Sequence, residues 1–448
     1  MTYLDNNVVN VALPSIQRDL GLTISGLEWI VSSYILVFAG LLLAGGRLAD
    51  LFGVRAAFLG GLGVFTAASA LAGLAGSQEV LIGARALQGV GAALLAPAAL
   101  AAIAALFPEP AERARAIGLW GGIGALALAL GPLIGGVLSE HAHWGWIFLV
   151  NVPVGVVTAV LGVRHLPAGS RSRRPLDVYG LGTSSAALLA LTYALIEGER
   201  NGWTSAPILG SFAAAALFAA VFAAVELRSA DPMIDLRLFR RRMFTGGLAI
   251  TGLWAFGVFG IYFFLALYLQ GVLGFSPTGA GAAFVPLALV MAVMAGVSDR
   301  LARRFGPGPV TASGMALMAA AVGWMSTIGA GGGYFDLLPA FLLYGLGAGM
   351  LIPLNDVIIG AIPASDTGVA SGMLNVSREV FGLLGVTVLG AILTARQTAE
   401  TPAAFLDAYR FTLVAAAVII ALAVPLALAT LRRPAPSAEK EPDPVLAA

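Results

Sequence analysis

The chain has 448 residues, 59% of them hydrophobic and only 11% charged, with a formal net charge of +1. So small a charge gives no basis for a polyanionic partner and argues against nucleic-acid binding. The absence of cysteine excludes disulfides, thiolate metal sites and cysteine catalysis together. Apolar stretches joined by short loops fill nearly the whole length, which marks an all-α polytopic membrane protein without room for a second soluble domain.

A span needs about 20 mostly apolar residues. On that measure spans are expected at 1–14, 26–46, 56–75, 79–106, 113–138, 144–163, 177–197, 206–226, 243–270, 277–298, 309–329, 335–358, 366–394 and 408–431. The first, Met1–Pro14, is too short for a crossing. Helix 1 is therefore expected to be truncated, with the natural start upstream. Nineteen basic residues fall on alternate loops and the C-terminus, against four on the opposite loops. The positive-inside rule then places both termini in the cytoplasm of a cell inner or plasma membrane.

Asp5 lies within the first apolar stretch, beside Asn10. A carboxylate at membrane depth is expensive, so it is expected to face the interior and to serve function. Burial gives it scope to exchange a proton. Glu28 stands at the outer edge of helix 2 and reads as a solvated interfacial carboxylate, while Tyr34 and Phe38 follow on the same helix. The loop after helix 2 runs Gly46-Arg47-Leu48-Ala49-Asp50-Leu51-Phe52-Gly53-Val54-Arg55. Its glycines allow a tight turn, and Asp50 can cap a neighbouring helix or pair with an arginine as a latch, so Gly46, Asp50, Gly53 and Arg55 are expected to gate.

Arg85 sits in the outer half of helix 4, one turn from Gln88, where it can pair with Asp5 and tune its proton. A static ion pair is the competing reading, but buried pairs are poor stabilisers. Helix 5 carries Gly118, Gly131-Pro132 and Gly135-Gly136, small residues that give a flat face for close helix packing, with a proline bend. His141 and His143 form an isolated pair without further ligands nearby, so no metal is expected. Trp144 and Trp146 open helix 6 and suit an interfacial anchor.

Spans 7 and 8 lie between the arginine-rich segments 164–175 and 226–242. Trp254, Phe256, Phe259, Tyr262, Phe263 and Phe264 run round all of helix 9, so most are core packing, with Trp254, together with Asn10, Tyr34, Gln88 and Arg378, a candidate for the substrate cavity. Arg47-Leu48-Ala49-Asp50-Leu51-Phe52-Gly53 recurs as Arg300-Leu301-Ala302-Arg303-Arg304-Phe305-Gly306, in matching topology. This predicts two related bundles in parallel orientation. Asp356 near the end of helix 12 is a candidate second acidic site. Arg378 and Glu379, adjacent in helix 13, are each expected to need another partner, because neighbours in sequence do not face each other on a helix. Residues 432–448 read as a disordered tail.

These motifs resemble one family. Gly46–Arg55 resembles the helix 2–3 signature of the major facilitator superfamily, with Leu51 where an arginine is usual. Leu81–Gly89 resembles its helix 4 motif, and the helix 5 glycines its antiporter signature. His143–Gly155 and Leu4–Pro14 resemble the helix 6 and helix 1 motifs of the fourteen-helix drug:proton antiporters (EmrB/QacA type), with Gly145 and Asn7 as departures. The resemblance implies a major facilitator fold: a six-helix bundle over 1–163, connectors and an inserted hairpin over 164–242, and a second bundle over 243–431. It further implies proton-coupled efflux of amphipathic or aromatic compounds by alternating access, with the helix 5 face as hinge contact. Symport or facilitated diffusion of a defined metabolite is the alternative. No enzyme chemistry is expected, since the histidines lie in loops and no nucleophile–base cluster appears. No cofactor is expected either: without an ATP-binding Gly-rich loop the proton gradient is the energy source. The implied partners are a small-molecule substrate, protons and the lipid bilayer, and no motif identifies an outer-membrane efflux partner.

Overall fold

Helix starts in this chain follow capping chemistry. Thr23, Ser77, Asp177, Ser276 and Thr401 each accept a backbone N–H from three residues on, which satisfies one of the orphan donors of a first turn. The computed structural model describes residues 1–166, 177–229, 236–329, 331–352, 354–360, 362, 367–399 and 401–431. Most of the first arginine-rich connector, residues 230–235 of the second, and the expected tail lie outside the described residues.

The helices in order are α1 (Thr2–Leu20), α2 (Ile24–Phe52), α3 (Val54–Gly73), α4 (Gln78–Leu106), α5 (Pro110–His141), α6 (Trp146–Leu149), α7 (Asn151–His165), α8 (Val178–Asn201) and α9 (Ala206–Arg228). After a 3-10 turn (Leu236–Arg240) come α10 (Arg242–Gly271), α11 (Pro277–Ala283), α12 (Val285–Phe305), α13 (Pro307–Met325) and α14 (Tyr334–Gly349). The last are α15 (Leu354–Gly360), α16 (Thr367–Arg396), α17 (Pro402–Ala421) and α18 (Ala423–Thr430). Helix occupies every stretch read as a span, and among the described residues eleven helices are long and apolar enough to cross a membrane.

Three of the breaks share a cause. The α6–α7, α11–α12 and α17–α18 breaks each fall two or three residues before a proline: Pro153, Pro286 and Pro425. A proline lacks the N–H for the carbonyl four residues back and its ring crowds that carbonyl, so the ladder opens there. Pro14 does not act this way. The sequence reading ended helix 1 at Pro14, whereas α1 continues to Leu20 and stops at Gly21, whose φ of 65° is left-handed and whose N–H returns to the Gln17 carbonyl. At about 1.5 Å per residue its 19 residues reach about 28 Å. The shortness lay in the apolar run, because Gln17, Arg18 and Asp19 close the helix, and not in the helix.

The internal repeat has a structural counterpart. Gly53 (φ 90°, ψ 148°) joins α2 to α3, and Gly306 (φ 92°, ψ 155°) joins α12 to α13. A single left-handed glycine makes the same sharp turn in both copies, a conformation that a side chain would strain.

Among the first seven helices, α2 and α3 pack on α4, α1 on α5, and α3 on α7. Among the later ones, α10 packs on α16, α12 and α13 on α14, and α13 on α17. The α8–α9 pair packs on itself, and α8 also touches α2 and α16. With a mean hydropathy of 2.3 and 11% of its most apolar stretch buried, α9 presents most of its surface to lipid. The two sets meet through α5 with α11, α2 with α16, and α1 with α10. Gln270 donates to the Val11 carbonyl at 2.8 Å, and Glu140 accepts the Thr278 backbone N–H at 2.8 Å. Both contacts lie at the face away from the arginine-rich loops.

Candidate functional site

Asp5 is 1% exposed in the first set of helices, and three side chains from two other helices converge on its carboxylate. Arg85 of α4 forms an ion pair with Oδ2. Oδ1 accepts from Gln88 Nε2 at 3.2 Å and from Asn151 Nδ2, at the start of α7, at 3.1 Å. Gln88 also donates to Ser69 Oγ of α3 at 2.8 Å. The helical spacing of Arg85 and Gln88 puts them on one face, and Arg85 Nη1 donates to Gln88 Oε1 at 2.8 Å.

Arg85 has further partners that do not depend on Asp5. Its Nε donates to the Ile30 carbonyl at 3.3 Å, and its guanidinium carbon lies 4.4 Å from the Tyr34 ring centre and 5.6 Å from that of Phe148. Buried charges are tolerated when paired and hydrogen-bonded, and ring faces attract a desolvated cation. Protonating Asp5 would remove the ion pair while leaving Arg85 two carbonyl-type acceptors and two ring faces. Arg85 is thus held by contacts that do not depend on the charge of Asp5. The pairing of Asp5 with Arg85 was expected from sequence; Gln88 and Tyr34 were expected at a substrate cavity, and Asn151 and Ser69 were not singled out. Their signal was slight: isolated polar residues within otherwise apolar stretches.

The helix 5 residues lie between α1 and α11. A Cβ on Gly131 would stand 2.7 Å from Asn7 Cβ, and one on Gly135 2.6 Å from the Val8 carbonyl oxygen, so α5 lies directly against the segment that carries Asp5. On its other side, Cβ atoms on Gly136 and on Gly281 of α11 would each fall 2.2 Å from a carbonyl oxygen, of Pro277 and Pro132 respectively. Small residues at these positions let two helix backbones touch.

In the 46–55 loop, the side chain of Asp50 lies outside the described residues. Gly46 has room to spare, since a Cβ there would meet Pro97 Cβ only at 3.8 Å. The tight position is Gly45, where it would meet the Ala93 carbonyl oxygen at 1.9 Å. Arg55 donates to the Val163 carbonyl at 2.7 Å, near the C-terminus of α7, where a cation complements the helix dipole.

Other candidates sit apart from this network. Asn10 Oδ1 and Trp254 Nε1 are buried without a hydrogen-bond partner among the described residues. Phe256, Phe263 and Phe264 are core, as expected. The Asp356 side chain lies outside the described residues. Arg378 corrects the sequence reading: its Nε and Nη2 reach Glu379 Oε1 at 3.1 and 2.9 Å, because long side chains fold back across the one-residue step. Glu28 is a second correction: it is 1% exposed rather than solvated, since α16 packs over it from the far end of the chain. Trp144 is buried and donates to Asp19 Oδ2 at 2.7 Å, while Trp146 is 52% exposed, as an anchor at an interface would be. His143 contacts the same Asp19 oxygen at 3.2 Å, and the described residues hold no cluster able to bind a metal.

The sequence profile of the Major Facilitator Superfamily matches residues 1–386. The chain is 38% identical over 420 residues to the puromycin resistance protein pur8 of Streptomyces alboniger, covering 91% of this chain and 83% of that one. It is 38% identical over 399 residues to the tetracenomycin C resistance and export protein of Streptomyces glaucescens, covering 88% and 74%. It is 39% identical over 435 residues to the cephamycin export protein CmcT of Amycolatopsis lactamdurans, covering 95% and 89%. Among solved structures, a bacterial homologue of the human lysosomal transporter Spinster aligns over 97% of this chain and 96% of its own, with a TM-score of 0.69 at 17% identity. A peptide transporter of the POT family aligns over 98% of both chains with a TM-score of 0.66 at 16% identity. At such identities these structures bear on the fold alone.

Proposed function

The chain belongs to the major facilitator superfamily, and from that membership we propose that it exports amphipathic or aromatic small molecules, such as drugs, dyes or antibiotics, in exchange for protons. The observation that carries the coupling is the buried Asp5–Arg85–Gln88–Asn151 network, a carboxylate built to exist in two protonation states. The names of the relatives, for antibiotic resistance and export, support the substrate class.

The two sets of helices act as two bundles, 1–163 and 243–431, with 164–242 supplying the inserted pair, fourteen crossings in all. Both termini and the arginine-rich loops lie in the cytoplasm. The face where Gly136 meets Pro277 is then the outer face, and the conformation is one closed to the outside. Substrate enters from the cytoplasm while Asp5 is ionised and paired with Arg85. When the bundles part on the outer face the substrate leaves, and Asp5 takes a proton from outside. Return to the present conformation delivers that proton inward, and re-pairing with Arg85 expels it. One proton enters for each release event, and the α5 face is the surface about which the halves rock. The 46–55 loop latches the cytoplasmic ends. No cofactor takes part.

Inverted vesicles holding the protein and energised with a pH gradient test this. A panel of cationic dyes and antibiotics is expected to contain compounds that collapse the gradient, and Asp5→Asn is expected to abolish the collapse. Collapse that persists unchanged in Asp5→Asn would overturn the role given to Asp5.

A further inference from the structure

Glu28 lies near the start of α2 at the outer face, and its Oε1 finds no hydrogen-bond partner among the described residues. The carboxyl group is seated on α16. A Cβ built on Gly390 would stand 1.8 Å from Oε1 and 2.4 Å from Cδ, so the glycine leaves the space that the carboxyl group fills.

Among the described residues no cation reaches it there. The nearby charged group on α8 is another acid, Glu197, tied to Trp29, the residue next to Glu28. Glu197 is itself engaged: Oε1 accepts Trp29 Nε1–H at 3.0 Å, and Oε2 accepts Asn201 Nδ2–H at 3.4 Å and lies 3.9 Å from Arg200. On α16 the nearest charge, Arg396, is turned onto the Phe411 ring at 4.0 Å. On α4, Gln78 lies against Gly26, and Glu79 is exposed. On α1, Arg18 and Asp19 are exposed and held by Ser15 and by Trp144 with His143. A carboxylate sealed away from water, with one oxygen unpartnered and no cation beside it among the described residues, costs more to bury than the neutral acid.

We propose that Glu28 is a proton-binding site separate from Asp5, whose bound proton fastens the α2–α16 contact and so holds the outer face closed. Its position supports this role. Glu28 belongs to the first bundle and Gly390 to the second, and Glu197 reaches the same seam from the inserted pair. When α2 and α16 part, Glu28 meets outside water and ionises; when they close, it must hold a proton to regain its seat. The proton is not carried across, because the site opens on one face only. Glu28 thus gives the closed protein one proton that the open protein lacks, a contribution that lowers the closed-to-open ratio as pH rises by at most about tenfold per pH unit, while the proton that Asp5 takes on opening acts in the opposite sense. The inference rests on the reading that the bundles part at this face, and it does not require Asp5.

The chain has no cysteine, so spin labels on Arg18→Cys and Thr398→Cys report the outer gap alone. Distances are measured on protein in lipid nanodiscs without substrate, between about pH 5 and about pH 9. The labels are expected to move apart as pH rises, and Glu28→Gln, a neutral residue of the same shape, to keep them together throughout. Gly390→Val, which takes the seat, is expected to hold them apart even in acid. A Glu28→Gln protein with the wild-type pH response, or an Asp5→Asn protein with none, overturns the proposal. The same series in Asp5→Asn is expected to keep the separation and to steepen it, since no proton is then taken up at Asp5 on opening. A response lost there but kept in Glu28→Gln would assign the proton to Asp5 and sink the Glu28 site. Failure of dyes to collapse the vesicle gradient would count against the exporter and leave this site standing.

Discussion

Asp5 and Arg85, 80 positions apart in sequence, form an ion pair whose side chains are both at most 1% exposed. Removing one partner of such a pair strands the other, which typically costs about 3–5 kcal/mol. Here the loss is expected near the low end, because Arg85 retains Gln88, the Ile30 carbonyl and two ring faces. Asp5→Asn should therefore fold, melt lower than wild type and lose pH-driven transport. The double variant Asp5→Asn/Arg85→Gln should recover much of the melting temperature and none of the transport. Paired melting and vesicle flux measurements check this. Transport in the double variant would show that the pair only holds helices together.

Asn151 is expected to matter more than Ser69. Asn151→Ala removes a donor from Asp5 itself, and leaving a buried acceptor short costs roughly 1–3 kcal/mol. Ser69→Ala removes a group that touches Asp5 only through Gln88, and the Ser69 hydroxyl already has the Phe65 carbonyl at 2.7 Å. Initial rates of dye efflux, normalised to protein in the membrane, should fall several-fold further in Asn151→Ala. Equal losses would place the two residues in one structural role.

The helices, Asp5 with Arg85 and the small-residue face of α5 were legible in the sequence because each rests on a local pattern: apolar length, a charge at membrane depth, glycines at helical spacing. Other features depend on what comes from far along the chain. Glu28 looks interfacial in its own helix and is buried only because Gly390 packs over it. Asn151 joins the site because α7 turns its first residue inward. The reach of α1 past Pro14 was hidden by reading helix length from apolar residues alone. Arg378 with Glu379 failed for another reason: the facing rule describes Cβ positions, and two long side chains can bend past it.

Gly136 should tolerate less than Gly131. A methyl group at Gly136 would strike backbone, the Pro277 carbonyl oxygen at 2.2 Å, which cannot yield as a side chain can; at Gly131 it meets Asn7 Cβ at 2.7 Å. Overpacking typically costs about 1–3 kcal/mol, here charged to the closed outer face. Gly136→Ala is expected to shift the protein toward the open state by roughly ten- to a hundredfold, at about 1.4 kcal/mol per tenfold. Thiol labelling of a single cysteine placed at the outer end of α11 would read the shift, since the chain has none of its own. Unchanged labelling would mean that the α5–α11 contact does not decide closure.

Asp19 gives a pH dependence of the opposite sign to that of Glu28. The Trp144 indole N–H, and then His143, hold the Asp19 carboxyl below its ordinary value of 3.8 at the exposed end of α1. A depressed carboxylate contributes its stabilisation above the unfolded value and loses it as pH falls through the folded one. The tie between α1 and α6 is thus complete at neutral pH and released only in strong acid, with a worth below about 1 kcal/mol because the group is solvent-screened. Trp144 emission, isolated by replacing the other six tryptophans with phenylalanine, should stay flat down to about pH 4 and change only below it. Asp19→Ala should show the acid spectrum at every pH. A Trp144 transition at the pH where the outer labels part would instead tie Asp19 to gate opening, and would contradict the separation of the two groups drawn from their contacts.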